Sequence, residues 1–284
     1  MPMTGDLLSF DTAIRLAAFV GVFVAIALWE WAAPRRVQAV PRRRRWPSNL
    51  GLVALNSVLM RLVFPVSAVG VALLVERQGS GLLHVLTVPA WVALPLAFVL
   101  LDLAIYLQHL LFHSVPALWR LHRMHHADVE FDVTNGLRFH PLEMLLSMAI
   151  KMAVIAILGA PPAAVLAFEV VLNAAAMFNH GNVTVAARFE PMLRRLIVTP
   201  DMHRIHHSTL PEEMHSNFGF NLPWWDHVFG TYLAQPRDGQ VAMQLGLPMF
   251  REASWLRLDR LLMQPWVGPV GALRTRLRTR PAPR

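Results

Sequence analysis

The chain of 284 residues contains no cysteine. This absence excludes disulfides, zinc ribbons, thiolate nucleophiles, thiolate-ligated haem and iron–sulfur clusters. The H-E-x-x-H motif is also missing, and no glutamate stands beside a histidine pair as a general base, which argues against a zinc metalloprotease. Metal chemistry in this chain would therefore depend on histidine, of which there are 13 copies.

Charged residues are scarce as well. They make up 15% of the chain against 55% hydrophobic residues, and the mean hydropathy is +0.42. A soluble domain carries more charge, so this composition predicts a membrane protein. The net charge of +8 could indicate nucleic acid, but the basic residues lie beside apolar segments. Membrane topology explains that placement better, and we expect no nucleic-acid partner.

The apolar segments predict a single membrane domain over residues 1–284. Its fold class is an all-α integral membrane helical bundle, with about three spans plus a helical hairpin and a cytoplasmic histidine-rich cap. The first apolar run lacks a basic n-region and an A-x-A cleavage site, so we interpret it as an uncleaved span rather than a signal peptide. The predicted boundaries are 12–33, 50–75 and 85–107 for the spans, 142–179 for the hairpin and 265–284 for a basic tail.

An arginine-rich loop follows the first span and contains Arg35, Arg36 and the run 42–45. A nucleic-acid patch is the rival interpretation, but short basic loops between spans are usually cytoplasmic. This orientation puts the N-terminus on the far side of the membrane and the C-terminus in the cytoplasm. Residues 109–141 and 180–235 then form a cytoplasmic metal-binding cap. All the histidine clusters lie on that one face, although the charge rule that sets the orientation takes no account of histidine.

Two opposite charges lie inside the predicted hairpin. Lys151 and Glu169 are each nine residues from Ala160, so a symmetric turn puts them at equal depth. An unpaired charge in an apolar span is costly, and we therefore predict that these two residues form an ion pair.

The histidines recur at spacings that suit metal binding. His109 and His113 form an H-x3-H pair, and positions i and i+4 share one face of a helix. An H-x2-H-H spacing then occurs twice, and three such positions lie within about 100° of helical arc. We predict these eight residues as metal ligands: His109, His113, His122, His125, His126, His203, His206 and His207.

Two further histidines stand at the two ends of the predicted hairpin, namely His140 and His180. They raise the number of candidate ligands to ten, which is too many for one tetrahedral ion and suits two. Imidazole accepts zinc, iron and copper alike, so ligand type does not choose the metal. We interpret His84 as structural and leave His215 and His227 out of the site. Asp102 and Tyr106 precede the H-x3-H pair on its face, and either could orient a ligand; a charge at a helix end is the alternative.

With these motifs the chain resembles the fatty acid hydroxylase/sterol desaturase superfamily. Within that superfamily it is most similar to the bacterial sterol-desaturase-like branch. The resemblance covers roughly residues 85 to 235. The segments that carry it are DLAIYLQHLLFH (102–113), LHRMHH (121–126), FDVTNGLRFHPLE (131–143), FNHGN (178–182), HRIHHS (203–208), NFG (217–219) and WDHVFGTY (225–232).

The resemblance implies a di-iron oxygenase that hydroxylates or desaturates a lipid with O2, and the ten histidines above are the ligands it implies. It adds Asp132, Asn217 and Asp226 as residues that support the ligands, whereas His227 departs from the family pattern. Zinc could replace iron during purification, because both accept imidazole. We expect electrons from a separate donor, such as a ferredoxin, a cytochrome b5-like protein or a reductase. The expected location is the bacterial inner membrane, with the active site facing the cytoplasm.

Two other functions fit the same histidines. One is a non-catalytic membrane metal-binding protein, and the other is a zinc-dependent membrane hydrolase. A transporter would place its ligands in the middle of a span, whereas these lie at the cytoplasmic ends. The lipid itself stays open among sterols, hopanoids, fatty acyl chains, ceramide-like lipids, ether lipids and carotenoids, and so does hydroxylation versus desaturation.

Overall fold

The computed structural model describes the backbone of residues 3–269 and the side chains of residues 11–269. The described segment is built from helices and contains no β-strand, only two isolated bridges between extended residues. The helices are α1 Met3–Ala32, α2 Arg42–Val63, α3 Ala68–Gln78, α4 Leu82–Val85, α5 Ala90–Ser114, α6 Pro116–His126, α7 Pro141–Leu158, α8 Pro162–Asn179, α9 Glu190–Leu196, α10 Pro200–His206, α11 Pro211–Met214, α12 Trp224–Val228, α13 Gly239–Ala242 and α14 Leu258–Met263.

Five helical segments are long and apolar enough to cross a membrane. They are Asp11–Ala32, Arg42–Val85, Ala90–Ser114, Pro141–Leu158 and Pro162–Asn179. The predicted fold class is thereby confirmed: an all-helical membrane bundle with three spans followed by a helical hairpin.

The second span differs from its predicted form. It begins at Arg42 rather than at residue 50, and it divides into α2 and α3. Pro65 lies in the break, where its ring removes a backbone donor and disfavours a continuous helix. Ser67 then caps α3, because its hydroxyl accepts a hydrogen bond from the backbone N–H of Gly70 at 3.1 Å. A long apolar run therefore yields two helices instead of one.

The hairpin turns where the sequence predicts. α7 ends at Leu158 and is followed by Gly159, whose φ of +66° is a left-handed conformation that favours glycine, and α8 begins at Pro162. Lys151 donates a hydrogen bond to Glu169, so the predicted ion pair is confirmed. Arg15 of α1 joins the same carboxylate at 3.0 Å, which ties the first span to the hairpin.

The arginine-rich loop packs against the histidine-rich part of the chain. Arg35 forms an ion pair with Asp201 at 3.0 Å, and its backbone N–H bonds the carbonyl of Asn182 at 2.9 Å. The loop and the histidines therefore lie on the same side of the bundle. Arg45, the last residue of the run 42–45, does not lie at the surface as expected for a basic loop. Its side chain is fully buried against Asp132 and Asp128.

The basic tail predicted over 265–284 falls mostly outside the described residues, which end at Pro269. Pro265, its first residue, is buried, whereas Trp266 beside it is 65% exposed. Arg123 of α6 donates hydrogen bonds to the carbonyls of Gln264 and Val267. The end of the described chain is thus fastened to a helix that carries three of the histidines.

Candidate metal centre

Four helices deliver histidines to one end of the bundle. α5 carries the H-x3-H pair in its last turns, and α6 starts immediately afterwards at Pro116, so the two helices fold against each other. α10 carries the second H-x2-H-H triplet and is capped by Thr199, whose hydroxyl accepts from the N–H of Met202. His180 directly follows the last residue of α8. The ends of α5 and α8 and the short helices α6 and α10 therefore set the positions of these imidazoles.

Nine of the ten predicted histidines converge into two buried groups. Within each group the candidate ligand atoms all lie within 4.8 Å of one another. The first histidine group consists of His109, His113, His122, His126 and His206, and the second histidine group consists of His125, His180, His203 and His207. Each H-x2-H-H triplet divides its members between the two groups, so α6 and α10 both contribute to each.

The Nε2 atoms face inwards at distances that suit a shared ion. In the first group the Nε2 of His126 lies 3.1 Å from that of His113 and 3.3 Å from that of His122. In the second group the Nε2 of His180 lies 3.1 Å from that of His125 and of His203. Nitrogens bound to one ion at about 2.0–2.1 Å are separated by about 3 Å. The donor set and its spacing fit a metal ion in each group.

The hydrogen bonds of two Nδ1 atoms explain why the lone pairs on Nε2 of the same rings point towards the centre of the first histidine group. The Nδ1 atoms of His109 and His206 lie 2.9 Å and 2.8 Å from the carbonyl oxygens of Phe218 and Ser216. A carbonyl only accepts, so Nδ1 must hold the ring proton and Nε2 keeps its lone pair. The Nε2 atoms of both rings are buried with no hydrogen-bond partner among the described residues. A buried imidazole nitrogen that has a lone pair and no hydrogen-bond partner is what a metal ligand requires.

Glu143 supports the first group and was missed as a functional residue from the sequence. Its Oε1 accepts a hydrogen bond from the Nδ1 of His122 at 2.6 Å, and its side chain is buried. It is the one described carboxylate that contacts an imidazole of either group. A carboxylate behind a ligating histidine orients the ring and raises its basicity. The available signal was an acid in the first turn of a mostly apolar helix, two residues after a proline.

Burial keeps these imidazoles in the form that metals bind. It lowers the pKa of five histidines in or next to α6 and α10 well below 6.5, and neighbouring imidazoles lower it further. This holds for His125, His126, His203, His206 and His207. Burial also lowers the pKa of His180 to about 3. A metal ligand must be deprotonated, so the site is preset for cation binding at neutral pH.

The structure does not bring His140 into either group. Its Nδ1 accepts from the backbone N–H of Leu142 at 3.2 Å, which caps the start of α7. Its Nε2 lies 3.3 Å from the carbonyl oxygen of Leu262. Both ring nitrogens are therefore occupied by backbone groups, and the candidate ligands number nine rather than ten.

Asp102 and Tyr106, which were predicted to support the ligands, form no hydrogen bond to an imidazole of either histidine group. Asp102 contacts no imidazole, because its carboxylate accepts from the N–H of Asn221 and Leu222 at 3.3 Å and from the Nε1 of Trp225 at 2.8 Å. Tyr106 bonds the hydroxyl of Thr231 at 2.9 Å. These contacts fasten the segment after residue 220 to α5.

Asn217 and Asp226 shape the loop whose backbone carbonyls contact two candidate ligands. Asp226 accepts from the N–H of Phe218 and Gly219 at 2.8 Å each, and burial raises its pKa to about 6. Asn217 adopts a left-handed φ of 52° and donates to the carbonyl of Met202 at 3.0 Å. The carbonyls of this loop receive His109 and His206. Asp132 lies further out and pairs with Arg45 instead.

The histidines left out of the site stay outside both groups. The ring of His215 comes within 5.6 Å of the His113 ring between centroids, but it offers no atom to either group. His227 is exposed and packs its ring on Tyr232 at 4.1 Å. His84 lies near the turn of the hairpin, beside Gly159.

A family model described as fatty acid hydroxylase matches residues 94–231, a segment that contains every member of both histidine groups. Residues 94–231 belong to the fatty acid hydroxylase family. The resemblance drawn from the sequence is thereby confirmed.

Curated relatives within this family act on lipids by name. An ornithine lipid hydroxylase of Rhizobium tropici is 34% identical over 51% of this chain and 43% of its own length. Alkylglycerol monooxygenases of Xenopus tropicalis and Homo sapiens are 26% and 27% identical, each over 49% of this chain and 30% of their own length. The chain thus spans less than half the length of these relatives. No solved structure matches it.

Proposed function

We propose that this chain is a membrane-embedded lipid hydroxylase that uses O2 and a pair of iron ions. Nine buried imidazoles in two adjoining groups carry the proposal, because five and four nitrogens are suitable ligand sets for two ions. In this assignment the first histidine group holds one iron and the second holds the other. Hydroxylation is favoured over desaturation because the curated relatives are named a hydroxylase and monooxygenases.

The protein's part is to hold the two ions, to fix the orientation of the imidazole rings and to exclude water from the centre. Bound iron supplies activation of O2 and removal of hydrogen from an unreactive C–H bond. The rings of His109 and His206 are fixed by backbone carbonyls, and the ring of His122 by Glu143. All nine imidazoles are buried, which keeps bulk water from the reacting atoms.

The position of the groups favours a lipid oxidised near its head group. His109 and His113 lie in the last turns of the apolar helix α5, so the centre stands close to the end of a span rather than at its middle. A lipid in the bilayer presents its polar head and first carbons at that level. The names of the relatives, an ornithine lipid hydroxylase and alkylglycerol monooxygenases, support a polar lipid as substrate.

The electrons for the reaction come from a separate protein in this proposal. Oxygen chemistry of this kind consumes two electrons per turnover, and we propose a separate donor such as a ferredoxin, a cytochrome b5-like protein or a reductase. The proposed location is the bacterial inner membrane with the centre on the cytoplasmic face. The R. tropici relative supports a bacterial lipid substrate.

Isotope labelling tests the proposal. The protein in nanodiscs made from host lipid extract, with iron and an artificial reductant, should incorporate 18O from 18O2 into a lipid as one hydroxyl group. Purified protein should contain about two iron ions per chain, and His125→Ala should abolish the labelled product while the exposed His227→Ala retains it. Desaturation would give a lipid lighter by two hydrogens and free of label. Lipid cleavage without O2 would establish the zinc hydrolase instead.

A further inference from the structure

An apolar patch lies exposed on the histidine-rich cap. Val228 is 69% exposed, Met192 56% and Leu196 54%, although none belongs to a candidate span. No described residue covers them. The exposed apolar patch consists of Phe189, Met192, Leu196, Ile197, Trp224, Val228 and Phe229.

The patch is one continuous surface made by two short helices. Phe189, Met192 and Leu196 recur at spacings of three and four residues, so they share one face of α9. Trp224 and Val228 stand four residues apart on α12. The indole Nε1 of Trp224 donates to the carbonyl of Arg195 at 2.8 Å and joins the two helices. An apolar face of this extent on a cap is a sign of an interaction surface.

Contacts with α5 fix the depth of this patch. Trp225 donates to Asp102 at 2.8 Å, and Phe229 stacks on Tyr106 with ring centroids 5.3 Å apart. Tyr106 lies eight residues before Ser114 at the end of α5, which is about 12 Å along a helix. α5 is 25 residues or about 38 Å long, against a hydrocarbon core of about 30 Å. α12 therefore stands beside the part of α5 that lies at the membrane boundary or just inside it.

We propose that the exposed apolar patch inserts into the lipid bilayer, so that the cap is partly embedded in the membrane interface rather than standing clear of it. The basic residues at its rim suit this position. The guanidinium of Arg188 lies 4.5 Å from the ring centroid of Phe189, and Arg195 is exposed beside Trp224. Both can reach lipid phosphates while the apolar side chains enter below them. The patch thus continues the surface of the membrane-spanning helices.

The absence of cysteine permits a direct measurement. Met192→Cys and Val228→Cys, each labelled with a nitroxide in nanodiscs of phosphatidylglycerol and phosphatidylcholine, report the local access of O2 and of a water-soluble nickel chelate. Val20→Cys, in the middle of α1 and 49% exposed, gives the hydrocarbon reference. Glu212→Cys, whose side chain is 65% exposed on the same cap, gives the water reference. Unchanged metal content and melting temperature verify that each variant folds.

Both patch labels should lie between the two references, with higher O2 access and lower nickel access than the Glu212 label and a depth of about 5–10 Å below the phosphates. Nickel access equal to that of the Glu212 label would show that the patch faces water and would overturn the proposal. Low access of both O2 and nickel would also overturn it, because another protein segment would then cover the patch. The measurement needs no turnover and is therefore independent of the proposed activity.

Discussion

The Nδ1 of His122 donates to the Oε1 of Glu143 at 2.6 Å, a contact that joins α6 to the first turn of α7. This carboxylate fixes the ring of one ligand in the first histidine group. Replacing such a support costs about 10- to 100-fold in metal affinity. Glu143→Leu should therefore lose metal from the first group on dialysis against a chelator, and elemental analysis should fall towards one ion per chain.

Glu143→Gln gives a graded comparison, because its carbonyl oxygen can still accept from Nδ1 but carries no charge. It should retain more metal than the leucine variant. Glu212→Gln is the matched control, since the side chain of Glu212 is 65% exposed and belongs to neither histidine group. Equal metal retention in the leucine variant and the wild type would contradict a supporting role for Glu143.

His125 and His140 should behave differently although both were predicted as ligands. His125 faces His180 in the second group, so His125→Ala should remove the metal of that group and abolish product. His140 caps α7, so His140→Ala should keep both metals and lose about 1 kcal/mol of stability. Metal content and chemical denaturation of the same preparations separate the two outcomes. Loss of one metal from the His140 variant would restore it to the ligand set.

The histidine groups could be predicted from the sequence because their spacing is local. An H-x3-H pair or an H-x2-H-H triplet occupies one helical face whatever the surrounding fold does. The division of each triplet between two groups is not local, since it depends on how α6 and α10 pack. The Glu143 contact is of the same kind, because it needs the chain to fold back from α6 to α7.

Arg45 shows what composition alone misses. A run of arginines predicts a surface loop, yet Arg45 is fully buried and bonds Asp132. Asp102 shows the converse: it lies on the predicted helix face but reaches the loop after residue 220 instead of an imidazole. Both outcomes depend on loop segments that are distant in the sequence. The positions of such loops cannot be predicted from the periodicity of apolar residues.

Glu169 should be more sensitive to substitution than its partner Lys151. Its carboxylate accepts from Lys151 and pairs with Arg15 at 3.0 Å, so Glu169→Gln leaves Lys151 without its acid and leaves Arg15 with Asp11 alone, 3.7 Å away. Lys151→Met leaves Glu169 paired with Arg15. Breaking a buried pair costs about 3–5 kcal/mol, and we expect Glu169→Gln to reach that range and Lys151→Met to fall below it. Denaturation in detergent micelles measures both.

The exposed Glu76 provides the control for this comparison, and Glu76→Gln should change stability by less than about 0.5 kcal/mol. A simple charge exchange between Lys151 and Glu169 should not restore the wild-type stability, because the new lysine would face Arg15. Full recovery in that double variant would show that Arg15 contributes little to the cluster.

The last prediction concerns the orientation of the bundle in the membrane. Val37 is 92% exposed in the arginine-rich loop, which packs on the same side as the histidines, and a cytoplasmic loop is expected from its charge. Arg77 is exposed near the end of α3, at the opposite end of the predicted span.

In the cysteine-free chain, Val37→Cys should react with a membrane-impermeant maleimide only after spheroplasts are opened. Arg77→Cys should react in intact spheroplasts, because the proposed orientation puts it on the periplasmic side. Since neither side chain touches a histidine group, labelling leaves the metal centre intact, and unchanged metal content verifies this. The reverse labelling pattern would place the metal centre on the periplasmic face and would exclude cytoplasmic electron donors.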